Sequence, residues 1–149
     1  MSVGKPRERD ASALHDRYAE RIRRFGVAYR SSWVADVPGG ARFSDAHARQ
    51  REGSSLLKRW DRRGTLVSLD RSGRRLSSRG FAAELETWAT PRLTLFVGGP
   101  TGLDMGVLEA STHRLSLSSL TLPHELVRAL IAEQVYRALT LLRGVPYHR

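Results

Sequence analysis

Leu117-Ser118-Ser119-Leu120-Thr121-Leu122-Pro123-His124, running on into residues 125–142, is the stretch that decides the fold. Residues 115–117 read as a short apolar strand. Small hydroxyl residues then alternate with apolar ones, and Pro123 opens a long amphipathic pattern that Gly144 and Pro146 close. Proline suits a first helical turn, where its missing N–H would be unpaired anyway. The order is therefore strand, loop, terminal helix. Such a loop exposes backbone groups and hydroxyls between two rigid elements, a fitting cradle for a small molecule.

The same succession recurs upstream. Residues 65–69 read as an apolar strand, followed by the polar turn Asp70-Arg71-Ser72-Gly73. Ser77 or Ser78 can cap a helix that runs to Trp88, with Phe81, Leu85 and Trp88 at its apolar positions. Residues 93–97 are nearly all apolar, as expected of a strand covered on both faces. The loop Gly98-Gly99-Pro100-Thr101-Gly102 and a short helix at 103–110 follow. Nearer the N-terminus, Leu14, Tyr18, Ile22 and Phe25 give residues 10–25 a helical period. Residues 27–37 lean to β and end at Pro38-Gly39-Gly40. Residues 45–60 read as a polar helix weakened by Gly53-Ser54-Ser55. Strands alternating with helices over residues 1–149, without a linker or repeat, predict a single α/β domain with a largely parallel sheet flanked by helices. Ligands of such folds lie beyond the carboxyl ends of strands. Three ends qualify: Leu69-Asp70, Gly98-Gly99 and Leu117-Ser118-Ser119.

Composition narrows the function. A chain of 149 residues can bury a full core, and its hydrophobic content of 40% and charged content of 27% suit a soluble globular protein. No apolar run is long enough to span a membrane, and residues 1–10 lack the apolar core of a signal peptide. A cytoplasmic location is expected. Without cysteine, disulfides, thiolate zinc sites and a cysteine nucleophile are excluded. The net charge of +10 is unevenly placed: residues 1–79 hold 19 Lys+Arg against 9 Asp+Glu, and residues 80–149 hold 6 of each. A basic half beside a neutral one suggests a surface for a polyanion next to a pocket-forming half. The scarcity of lysine (Lys5 and Lys58 alone) is equally compatible with plain compositional bias toward arginine.

Several constellations stay open on sequence grounds. Gly98–Gly102 lacks the Gly-Lys-Ser/Thr of a phosphate-binding loop and the glycine spacing of a dinucleotide fingerprint. It is either a tight turn or a close approach of backbone to ligand. His124 is either a solvated surface histidine or, neutral at a helix N-terminus, a group that relays a proton. His15, His47, His113, His124 and His148 have no metal-ligand spacing, so no metal is expected, and no hydrolase signature is present. The terminal helix carries a broad apolar band of Leu126, Val127, Leu130, Ile131, Val135, Leu139 and Leu142, which faces either the core alone or also a second copy of the chain. The tail Tyr147-His148-Arg149 is either a frayed end or a rim that faces RNA.

Together these stretches resemble the ribosomal RNA large subunit methyltransferase H (RlmH) family of SPOUT methyltransferases. The resemblance rests on Leu66-Val67-Ser68-Leu69-Asp70, on Phe81-Ala82-Ala83-Glu84-Leu85-Glu86-Thr87-Trp88, on Phe96-Val97-Gly98-Gly99-Pro100-Thr101-Gly102-Leu103, on residues 116–138, and on the closing Pro146-Tyr147-His148-Arg149. It implies an α/β domain with a C-terminal trefoil knot, a homodimer, and S-adenosylmethionine as cofactor. The implied cofactor contacts are Leu69, Gly98, Leu117, Ser118, Ser119, Leu120, Thr121 and Leu122. The implied reaction is N3-methylation of a pseudouridine in helix 69 of 23S rRNA on the assembled ribosome. Two stretches depart from the family. Its members usually carry several apolar residues before the Val3-Gly4-Lys5 position, so most of the first strand is expected to be missing. Residues 42–59 fit by position only.

Methyl transfer from a sulfonium is an in-line displacement, so alignment of carbon and nitrogen dominates. The imide N3–H must also lose its proton. His124 and His148 are the candidate bases, Arg149 the candidate stabiliser of the imide anion, and Tyr147 the residue that stacks on or orients the base. The competing readings are a SPOUT methyltransferase for another RNA such as tRNA, and a basic ribosome-binding protein without catalysis.

Overall fold

The computed structural model describes residues 1–38 and 44–148. Its elements are β1 (Ser2–Val3), α1 (Arg9–Arg24), β2 (Trp33–Val34), α2 (Asp45–Arg59), β3 (Thr65–Arg75), α3 (Ser78–Trp88), β4 (Leu93–Val97), α4 (Met105–Ala110), β5 (His113–Ser116) and α5 (His124–Leu142). The strands form one sheet in the order β2-β1-β4-β3-β5, and every pairing is parallel. The expected helix-flanked α/β architecture is therefore present. Among the described residues no helix is long and apolar enough to cross a membrane.

The period-two alternation of β3 splits the core into two layers. Val67 joins Ile22, Phe81, Leu85, Trp88, Leu115, Ile131 and Val135 beneath α1, α3 and α5. Its neighbour Leu66 points to the other face, with Val3, Val34, Leu56, Phe96, Leu103 and Val107 under α2 and α4. Leu66, Val67 and Phe96 are fully buried. Ser77 caps α3 by accepting from Gly80 N at 3.1 Å, and Asp104 caps α4 by accepting from Gly106 N at 2.9 Å. That second cap starts α4 at Met105, later than the sequence suggests.

Four local expectations are corrected. The β-leaning stretch 27–37 yields only the two-residue β2; Tyr29 N turns back to Val27 O at 2.8 Å, and Gly26 takes φ +78°. Gly53 strengthens the packing of α2: a Cβ there would lie 2.8 Å from Asp104 Cβ and 3.0 Å from Val107 Cγ2, so its absence lets α2 and α4 approach. β5 stops at Ser116, because the Ser116 hydroxyl donates to Ser118 O at 2.9 Å and turns the chain. The expected polar turn 70–73 is instead part of β3, which runs unbroken from Thr65 to Arg75 with Asp70 accepting from Ser72 N at 2.9 Å. Its register with β5 shifts there, so that Leu115 pairs with Leu69 and again with Arg74. Gly73 lies at that shift, close against β5: a Cβ there would meet Leu115 N at 2.6 Å. The shortened first strand is Ser2–Val3, with Met1 extending it by accepting from Val97 N at 3.0 Å.

Candidate active site

Leu69, Val97 and Leu115 stand level on adjacent strands: Leu69 pairs with Val97 on one side and Leu115 on the other, so Gly98 leaves β4 beside Leu69 and Leu117 follows one residue later, past the end of β5 at Ser116. The expectation that β3 ends at Leu69 is corrected, since it runs on to Arg75. The loop after β4 closes on itself: Gly102 N donates to Gly99 O at 3.0 Å, and Gly102 takes φ +90°. A Cβ on Gly98 would stand 2.7 Å from the Gly102 carbonyl carbon. These glycines therefore serve a tight turn, and the turn holds backbone at the strand end.

The loop after β5 is braced from within. Ser118 O accepts from the Ser116 hydroxyl, and Ser118 Oγ accepts from Leu120 N at 2.9 Å. Leu117 packs against the α1/α3/α5 side of the core, while Leu120 is 74% exposed. Ser119 and Thr121 are exposed, and Ser118 and Leu122 half-buried. Among the described residues, the N–H groups of Thr121 and Leu122 donate to no acceptor in the chain. Unpaired backbone donors in a loop that also carries Leu117 and Leu122 suit a ligand with an apolar ring system and acceptors on its edge. S-adenosylmethionine, an adenine nucleoside, is such a ligand.

His124 stands at the start of α5, half-buried against the carboxyl end of β1, where a Cβ on Gly4 would lie 3.5 Å from its Nε2. Beside it is a residue that the sequence did not single out. Glu52 is 4% exposed, and its Oε1 accepts from Val37 N at 2.8 Å. Its Oε2 has no partner among the described residues and lies 3.4 Å from where a Gly99 Cβ would be. Burial pushes this carboxyl up from its ordinary pKa and Asp36 adds to the rise, against the Val37 hydrogen bond and the nearby His124. Glu52 sits in a polar helix and reads as solvated; the one available signal was the adjoining Gly53.

Tyr147 and His148 of the tail are held against α5. Tyr147 donates to Glu133 Oε1 at 3.0 Å and accepts from the Tyr18 hydroxyl at 3.1 Å. Burial pushes the Tyr147 phenol up, and both hydrogen bonds add to the shift. The Arg137 guanidinium lies 4.8 Å from the Tyr147 ring centre and donates to His148 Nδ1 at 3.4 Å. Because guanidinium only donates, His148 Nδ1 is the acceptor in this contact. Arg149 lies outside the described residues. Arg137 follows His124 by thirteen positions on one helix, a separation of about 20 Å at 1.5 Å per residue. Within one chain, His124 adjoins the strand ends while Tyr147 and His148 are held far along α5.

Comparisons with known proteins give the family. The family model described as "Predicted SPOUT methyltransferase" matches residues 1–148. The chain is 39% identical to ribosomal RNA large subunit methyltransferase H of Agrobacterium fabrum over 155 residues, covering 100% of this chain and 96% of that protein. It is 37% identical to the proteins of the same name from Magnetococcus marinus and Listeria monocytogenes, each over 158 residues, covering all of this chain and 96% and 97% of theirs. With the family model matching residues 1–148 and similarity along its full length, the chain belongs to the ribosomal RNA large subunit methyltransferase H family of SPOUT methyltransferases.

Proposed function

We propose that this chain transfers a methyl group from S-adenosylmethionine to N3 of a pseudouridine in helix 69 of 23S rRNA on the assembled ribosome. The observation that carries this is the common level of Leu69, Val97 and Leu115 on adjacent strands, which brings Gly98 and the loop Leu117-Ser118-Ser119-Leu120-Thr121-Leu122 out of the sheet on the side of Leu69. S-adenosylmethionine, when bound, supplies an electrophilic methyl group on a sulfonium. The chain's own part is to hold the cofactor through backbone donors, to position the base, and to take up the N3 proton. His124 is the base candidate nearest the strand ends. Tyr147, His148 and Arg149 would orient the base and stabilise the imide anion. Action on ribosomes also places the protein in the cytoplasm.

The separation of about 20 Å along α5 favours a homodimer, in which the tail of one copy serves the strand ends of the other. Leu120, Leu126 and Leu142 are exposed on and beside α5 and suit such a contact. A C-terminal trefoil knot belongs to the same proposal, supported by the double pairing of Leu115 with Leu69 and Arg74 and by the close approach of Gly73 to β5.

Mass spectrometry of helix 69 fragments, from ribosomes incubated with protein and cofactor, tests the proposal. A methyl group on the N3 of pseudouridine is expected. Methylation of tRNA alone, or cofactor binding without turnover on any RNA, would replace this reading by one of its competitors. Naked 23S rRNA should be a poor substrate, and affinity for ribosomes should fall steeply with salt.

A further inference from the structure

β2 is the outer strand of the sheet, and a groove of about 750 Å³ runs along it. Ser31, Ser32 and Trp33 form one wall, and Ser55, Lys58 and Arg59 of α2 form the other. A second groove of about 350 Å³ continues it along α2 past Arg51, sharing Ser55 and Lys58. No carboxylate lines either groove. Trp33 is 40% exposed, and among the described residues Lys58 pairs with no carboxylate. An exposed indole beside cations and hydroxyls is the equipment of a single-stranded nucleic-acid surface: the ring stacks a base, and the cations meet phosphates.

A peptide added to the sheet edge fits less well. Arg59 Nη1 already donates to Trp33 O at 2.7 Å, so the open edge of β2 lacks a carbonyl that an added strand would need. The second groove also runs past Arg51, the chain neighbour of Glu52, whose carboxylate reaches Gly99 at the end of β4. β2 is two places from β4 in the sheet, about 10 Å at the usual strand spacing. The chain leaving β2 carries Val37, whose N–H binds Glu52 beside Gly99.

We propose that this groove holds an unpaired segment of the substrate RNA flanking the target nucleotide, with one base stacked on Trp33 and its phosphates on Lys58 and the neighbouring arginines. The proposal rests on the reading of the chain as an RNA methyltransferase, and it assigns part of the recognition to a sheet edge outside the cofactor loops.

The test compares wild-type protein with Trp33→Ala, Trp33→Phe and Lys58→Gln in methyl transfer to intact ribosomes. Trp33→Ala should raise KM for ribosomes about 5- to 100-fold, the range expected for one stacked base. Its kcat and its affinity for S-adenosylmethionine should stay unchanged. Trp33→Phe should recover most of the loss. Lys58→Gln should lower the slope of log KM against log salt by about one. Unchanged KM in both Trp33→Ala and Lys58→Gln, with normal wild-type turnover, overturns the groove while leaving the proposed function intact. A raised KM in Trp33→Ala with no change in the salt slope of Lys58→Gln points to a ribosomal protein in the groove and overturns RNA as its occupant. If wild-type protein does not methylate ribosomes, the proposed function fails. The groove is then judged by binding of a fluorescent oligouridylate: weakened binding in Trp33→Ala and Lys58→Gln supports it, and unchanged binding overturns it. Trp33→Phe and matching melting temperatures separate a binding defect from misfolding.

Discussion

Glu52 is a buried acid with one oxygen satisfied and one unpaired, and its consequences can be measured. Its pKa is raised in the folded chain above the ordinary 4.5. Between the two values the folded state keeps a proton that the unfolded state has lost, so stability falls as pH rises through that window. Glu52→Gln should therefore raise the melting temperature by about 2–4 °C near pH 7.5 and leave it unchanged near pH 4. A gain that persists in acid would contradict a protonated native Glu52. Gly98→Ala should abolish cofactor binding measured by calorimetry, because the methyl group would collide with the Gly102 carbonyl at 2.7 Å and open the turn. The two residues differ in legibility. Glycines after a buried strand mark a special backbone position in sequence alone. A glutamate in a polar helix carries no mark, since its burial depends on α2 meeting β1 and α4.

At the level of elements, the terminal helix and the strand-to-helix alternation were readable because their apolar periods are long and unbroken. β3 was not. Its extension past Leu69 is written in Asp70-Arg71-Ser72-Gly73, a turn composition, and only the pairing of Arg74 and Arg75 with β5 makes it part of the sheet. Gly73→Val would drive a branched side chain into the Leu115 backbone. It should cost at least about 2–3 kcal/mol in denaturant unfolding; a neutral effect would show that Gly73 is not packed against β5. The α1 and α5 N-termini are also tied. Glu125 Oε2 accepts from Arg7 N at 3.0 Å and Glu8 N at 2.6 Å, and these bonds hold its pKa below the ordinary value. That stabilisation is present above about pH 4.5 and is lost as pH falls through the depressed folded value. Glu125→Ala should cost about 1 kcal/mol at neutral pH, allowing for solvent screening, and progressively less in acid melts.

The whole molecule divides its labour as its charge suggests: residues 1–79 carry the basic excess, and the loops of the candidate cofactor site come mainly from residues 80–149. Composition gave the division but not its geometry, because which strands become neighbours depends on crossovers that no local pattern records. A dimer that joins the tail of one copy to the strand ends of the other makes a definite prediction. Mixing His124→Ala protein with His148→Ala protein should restore activity to roughly a quarter of wild type, through heterodimers with one intact composite site. No restoration, with exchange confirmed by native mass spectrometry, would place both histidines in one protomer's site. Finally, Leu115 of β5 meets β3 twice, at Leu69 and at Arg74. Both of those partners, and the loop after β4, precede β5 in sequence. The candidate cofactor site is therefore completed only by the last third of the chain, and every residue upstream of it must be made before the cofactor has a place to bind.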